Sequence, residues 1–191
     1  MNPILIDFPT SVETERLVMR MAQQGDGPMM SETINASLDE LRAWMSWAQS
    51  PHSVEQAELN SRESAIRFLK REKLRFVALE KASGQMAACV GLHHIDWNAR
   101  AFEIGYWADS RRAGNGYVTE AVAAICGFAF VHLEARRLEI RCDRLNARSR
   151  AIPEKLGFRL EGILQQSELS ADRTEWRDMC VYAKLKADPS S

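Results

Sequence analysis

The stretch DSRRAGNGYVTEAV at 109–122 restricts this chain more than any other. Two glycines flank an asparagine, two arginines precede them, and an apolar repeat of helical period begins directly afterwards. Upstream, FEIGYW at 102–107 reads as a strand. A strand that enters a helix through an open glycine turn aims the first helical N–H groups at one point. Gly114 and Gly116 allow close backbone approach there, and Arg111 and Arg112 add charge and forked donors suited to phosphate oxygens. The pattern predicts a pyrophosphate cradle at a helix N-terminus. A GxxxxGK[ST] loop is excluded because no Lys-Ser or Lys-Thr follows. A dinucleotide fingerprint is excluded because its third glycine would fall at Thr119. On these residues alone, an ordinary strand-to-helix turn with solvated arginines stays open.

The remaining pattern supports one domain over residues 1–191, since no linker, repeat or low-complexity segment divides it. Strands are expected at 15–21, 75–80, 87–96, 102–108, 138–142, 158–168 and 175–185, with hairpin turns at 82–84 and 97–100. Helices are expected at 29–47, 54–73 and 117–133. A further short helix opens at Asn146 and is stopped by Gly157. On the second helix Leu59, Ile66, Leu69 and Lys73 share a face, and on the third Val118, Val122, Ile125 and Ala129 form the expected buried stripe. Hairpinned strands followed by alternating helices and strands predict an α/β (α+β) fold built on a mixed sheet.

Bulk properties narrow the function classes. A formal net charge of −1 argues against wholesale nucleic-acid binding, and no aromatic residues interleave the basic ones as a single-strand binder would require. The apolar run 121–133 is too short to span a bilayer. The N-terminus lacks the basic start and apolar core of a signal peptide. The four cysteines, Cys89, Cys126, Cys142 and Cys180, show no CxxC pairing, which suits reduced thiols in a cytoplasmic protein.

RxxGxG at 111–116, set between EIGYW and a long helix, resembles motif A of the GNAT acyl-CoA N-acetyltransferases, and NARSRAIPEKLGF at 146–158 resembles their motif B. Together, FEIGYW, GNGYVTEA, CDRLNARSRAIPEKLGF and EG are similar to the RimJ/RimL-like branch, which acetylates ribosomal proteins. The resemblance spans the chain from ETERLVMR to the last strand. It implies a mixed, mostly antiparallel sheet of about seven strands, splayed in the middle and flanked by about four helices. Acetyl-CoA is the implied cosubstrate, no metal is implied, and a homodimer is expected. The implied acceptor is a protein N-terminal amine. A small amine such as a polyamine, amino sugar or antibiotic is the alternative, and a catalytically weak acyl-CoA sensor is a third reading.

The resemblance also assigns residues. The pantetheine arm would lie between 102–108 and 138–142, against backbone at Ile104, Tyr106 and Trp107. A fixed donor at the thioester oxygen is worth ~3 kcal/mol or more in such chemistry. Backbone of Arg112, Ala113, Gly114, Asn115, Gly116 and Tyr117 would hold the pyrophosphate, supported by the Arg111 side chain. Asn146 would reach the pantetheine. The tyrosine that many members use as acid is replaced here by Pro153, so the acid falls to Ser149, one helical turn after Asn146. Pro153 also cannot donate to the Ser149 carbonyl, which loosens the helix there. Glu168 in QQSE is the implied general base if burial raises its pKa, with Glu103 competing.

Four further features are weighed against plainer readings. Cys142, near the thiol end of the implied cofactor, is a nucleophile candidate, but an inward core cysteine is the simpler reading. His93-His94 resembles a metal pair, yet consecutive strand residues point to opposite faces. Trp44 and Trp47 suit core packing, although in this branch the first helices wall the acceptor site. Arg136, Arg137, Arg141, Arg144, Arg148 and Arg150 cluster near the expected cofactor mouth, where they meet either an anion or solvent.

Overall fold

The structure, a computed structural model, describes residues 2–186. One eight-stranded sheet runs in the order β1-β2-β3-β4-β5-β6-β8-β7. The strands are β1 (Ser11–Glu13), β2 (Leu17–Met21), β3 (Leu74–Glu80), β4 (Met86–Asp96), β5 (Ala101–Ala108), β6 (Arg137–Asp143), β7 (Arg159–Leu169) and β8 (Trp176–Leu185). Five α-helices accompany them: α1 (Gly27–Ala36), α2 (Leu38–Arg42), α3 (Val54–Leu69), α4 (Tyr117–His132) and α5 (Ala147–Lys155). Every adjacent pair is antiparallel except β5 and β6. Among the described residues, eight strands and five α-helices stand where about seven and about four were expected. The additional strand, β1, has three residues, too few for alternation to register.

The parallel pair is where the sheet opens. β5 and β6 are in register only at Ala101–Arg137, Phe102–Leu138 and Glu103–Glu139. Beyond them β5 stays with β4 as far as Ala108, while β6 stays with β8 as far as Asp143. The resulting V is the splay expected between 102–108 and 138–142. Its lower end is anchored by the main core, where Phe102, Ile104, Leu138 and Ile140 pack under Ala121, Val122, Ile125 and Ala129 of α4. Of the expected α4 stripe, only Val118 is not fully buried.

Two helices depart from the pattern. The single helix expected at 29–47 breaks at Ser37, whose buried hydroxyl accepts from the Ser110 N–H, and Trp44 and Trp47 follow in a loop. Helix α3 begins where expected, in a Ser53/Gln56 capping box. However, Leu59, Ile66 and Leu69 are more than half exposed, and its buried positions are Ala57, Ser61 and Phe68. Small residues face α1 because the helices approach closely. A Cβ on Gly27 would lie 2.7 Å from the Glu58 Cβ. Periodicity identifies a face, whereas close packing here selects the opposite one.

Candidate active site

The turn after β5 is a 3-10 turn (Ser110–Arg112) followed by two left-handed glycines, Gly114 at φ +84° and Gly116 at φ +79°. Only glycine takes that conformation without steric cost, and Gly116 serves as the N-cap of α4. The N–H groups of Arg112 and Ala113 donate to the carbonyls of Asp109 and Ser110, so they are spent within the turn. Gly114, Asn115 and Gly116 donate to no backbone carbonyl among the described residues. With the first-turn N–H groups of α4, they are the open donors for an anion.

The arginines are more constrained than the sequence suggested. The Arg111 guanidinium donates to buried Asp109 at 2.8 and 3.0 Å and to Glu32 at 2.9 Å. These partners raise its already high pKa. Arg112 donates to Glu80 at 2.6 Å and to Gln85. Glu80 also accepts from Ser83 and Tyr117, and hydrogen bonds from Ser83, Tyr117 and Arg112 together hold its carboxyl at about 2. Arg111, Arg112, Asn115 and Tyr117 line a cavity of about 400 Å³ with Glu80 and Gln85. Both guanidinium groups in this lining are already engaged by carboxylates.

A second cleft, of about 240 Å³, occupies the V. Ile104 and Tyr106 line it from β5, Cys142 from β6, Asn146 and Ser149 from α5, and Glu168 from β7. Trp107 does not line it; its ring packs 5.8 Å from that of Trp47. Trp44 reaches the cleft wall from the loop after α2. The Asn146 carboxamide oxygen caps α5 by accepting the Ser149 N–H at 3.0 Å, so its NH₂ is the group left for a ligand.

Ser149 and Tyr106 are joined directly. The Tyr106 hydroxyl donates to the Ser149 carbonyl at 2.9 Å and lies 3.2 Å from its Oγ. Burial pushes the Tyr106 phenol well above its ordinary range. The Cys142 thiol, also near Ser149, is pushed up to about 11 chiefly by burial, which favours the core reading over an activated thiolate. Glu168 is exposed on β7, so the burial expected of it is not supplied by its surroundings. Glu103 is the more enclosed carboxylate, with its side chain 13% exposed. Burial pushes its carboxyl up, but hydrogen bonds to His93 and His94 outweigh this and hold it below the usual carboxylate range.

Most of the arginine cluster is neutralised internally. Arg137 pairs with Glu139 and Glu161, Arg141 with Glu139, Arg144 with Asp178 and Arg150 with Glu154. Sequence reasoning missed the Tyr106 hydroxyl and the Asp109 anchor. The first had one available signal: Pro153, four residues after Ser149, leaves a helical carbonyl without its N–H donor.

A splayed parallel pair, a glycine turn feeding a helix, and a serine-lined cleft between them define a GNAT-type acyl-CoA transferase. The family model for the Acetyltransferase (GNAT) domain matches residues 16–159, and the chain belongs to that family. It is 30% identical over 151 residues to "Putative ribosomal N-acetyltransferase YdaF" of Bacillus subtilis (strain 168), covering 78% of this chain and 80% of that one. Its fold matches RimL, the ribosomal L7/L12 alpha-N-protein acetyltransferase in complex with coenzyme A, at TM-score 0.84 and 21% identity, covering 92% and 97% of the two chains. It matches the microcin C7 self-immunity acetyltransferase MccE, in complex with acetyl-CoA and AMP, at TM-score 0.85 and 22% identity, covering 94% and 98%. The protein is an acetyl-CoA-dependent N-acetyltransferase. Among the described residues no helix is long and apolar enough to cross a membrane.

Proposed function

We propose that the acceptor is a protein N-terminal amine of the ribosomal-protein type, with Glu168 as general base and Ser149 as general acid. The observation that carries this reading is the shared cleft: Ser149 from α5 and Glu168 from β7 both line the space where β5 and β6 part. The pantetheine arm would enter along Ile104–Trp107, with its pyrophosphate at Gly114–Tyr117 and the Asn146 NH₂ on the arm.

The chemistry follows from those positions. The ammonium gives one proton to the Glu168 carboxylate, directly or through water, and its nitrogen forms a bond to the thioester carbonyl carbon. The carbon–sulfur bond then breaks, and the departing sulfur takes the Ser149 hydroxyl proton. The second proton shed by the nitrogen returns to the Ser149 oxygen, while Glu168 later releases its proton to solvent. Tyr106, whose hydroxyl donates to the Ser149 carbonyl and lies 3.2 Å from that oxygen, would hold the serine in position. Transfer is direct, and the raised Cys142 thiol has no covalent role. Glu168 gains the enclosure it lacks here when an acceptor chain covers it. A homodimer belongs to the same reading: β7 is a sheet edge, and Leu160, Ile163 and Leu164 along it are exposed.

The test is an acceptor screen in which N-terminal peptides of ribosomal proteins compete with polyamines, amino sugars and nucleotide-linked amines, read by mass spectrometry. Peptide α-amine acetylation is expected. Preferential turnover of a small amine moves the acceptor assignment to that class. Acetyl-CoA binding without turnover of any acceptor identifies a sensor.

A further inference from the structure

His93 and His94 lie on the same side of the sheet, against the alternation that consecutive strand residues impose. His94 has a left-handed backbone, φ +45°, and the β4–β5 register shifts between His93 and Asp96. This bulge turns the second imidazole back toward the first. His93 Nε2 is 3.1 Å from Glu103 Oε1, and His94 Nδ1 is 2.8 Å from Glu103 Oε2. The ligand atoms of all three residues fall within 4.8 Å of one another. Gly105 makes room: a Cβ there would lie 2.6 Å from the His93 ring.

We propose that His93 Nε2, His94 Nδ1 and the Glu103 carboxylate bind one zinc ion at the acceptor side of the cleft, and that the bound ion inhibits acetyl transfer. Two imidazoles and one carboxylate are zinc ligands, and three protein ligands leave a fourth position open. Bonds of about 2.0–2.1 Å in a tetrahedron put ligand atoms roughly 3.3 Å apart, close to the nitrogen–oxygen separations already present. His94 is largely exposed and free to close the remaining distance between the rings. Arg141, 3.8 Å from Glu103, is held by Glu139 at 2.6 Å. His93 and Glu103 line the same cleft as Ser149 and Glu168, so the open position faces the incoming amine. An amine whose lone pair coordinates zinc cannot attack a carbonyl, and a bound cation repels the ammonium that has yet to lose its proton. The inhibitory half rests on the acceptor placement proposed above; the binding half does not.

The test uses untagged protein, stripped with EDTA and dialysed, titrated with zinc chloride by calorimetry. One equivalent is expected to bind, and His93→Ala and His94→Ala are each expected to weaken it at least ~10-fold, since even outer-shell changes cost that much at zinc sites. His94→Ala alters an exposed side chain, so circular dichroism is expected to match the parent. Acetyl transfer should fall as the site fills, recover with EDTA, and resist zinc in His94→Ala. Absence of saturable binding below ~100 μM, or binding unchanged in both histidine variants, overturns the site. Binding of one equivalent without loss of turnover overturns the inhibition. If no acceptor is acetylated at all, the proposed function fails, while calorimetry still decides the site.

Discussion

The Tyr106 hydroxyl donates to the Ser149 carbonyl at 2.9 Å, a carbonyl that the residue four positions on, Pro153, has no N–H to satisfy. The proline opens a helical hydrogen bond and the neighbouring strand fills it, which holds the phenol 3.2 Å from the Ser149 hydroxyl. The interaction that replaces a lost helical bond therefore also couples α5 to β5 across the cleft.

Ser149→Ala is expected to lower kcat ~100-fold with little change in the KM for acetyl-CoA, within the range for removal of a positioned acid. Tyr106→Phe keeps the ring and removes both contacts, so it is expected to lower kcat by a smaller factor of about 10. Steady-state kinetics on the best peptide acceptor checks both. A kcat within twofold of the parent in both variants rules out the acid assignment.

The two carboxylates should separate by substitution. Glu103 is held below the ordinary carboxylate range, so it is already ionised throughout the neutral region and contributes no limb there. Glu168→Gln is expected to lower kcat ~100-fold, and Glu103→Gln considerably less. The kcat profile between about pH 5.5 and 9 is the measurement. A larger loss in Glu103→Gln transfers the base to β5.

Gly116→Ala places a Cβ on a left-handed N-cap, at an expected cost of about 1–2 kcal/mol in stability. The same substitution disturbs the open N–H groups before α4, so the Kd for acetyl-CoA should rise as well. Thermal unfolding and calorimetry report the two effects separately. Weakened folding with unchanged Kd would leave the turn a purely structural element.

Glu80 links the cradle to acid stability. Its folded value of about 2 lies below the usual 4.5, so its contribution is fully present above about pH 4.5 and is lost as pH falls through about 2. Glu80→Gln should destabilise the protein at pH 7, and the difference from the parent should vanish near pH 2. Urea unfolding at several pH values between those limits gives the curve. A difference that stays constant with pH would assign the loss to packing.

The open turn and the helix ends were legible in the chain because each is a local statement, whereas the cosubstrate was implied by the resemblance of several motifs in order. Gly114 and Gly116 mark left-handed backbone, the apolar period after them marks a helix, and Asn146 and Gly157 mark the ends of α5. Helix α3 begins at Val54 as expected, after a capping box, but ends at Leu69, four residues short of the expected 73. These signals depend on neighbours a few positions away, and no distant contact had to be known to read them.

Other features depend on what arrives from elsewhere. Which face of α3 is buried was decided by the approach of α1 at Gly27, which admits Ala57 and Ser61 and leaves Leu59, Ile66 and Leu69 outside. Glu32, brought from α1, accepts at 2.9 Å from the Arg111 guanidinium that local charge alone offers to phosphate. A bulge at His94 brings two adjacent imidazoles to one carboxylate, which strict alternation forbids. Local conformational preference determined the elements and their ends. Long-range packing decided which side chains meet, since the free energy of burial and ion pairing depends on groups that lie on different elements of the fold.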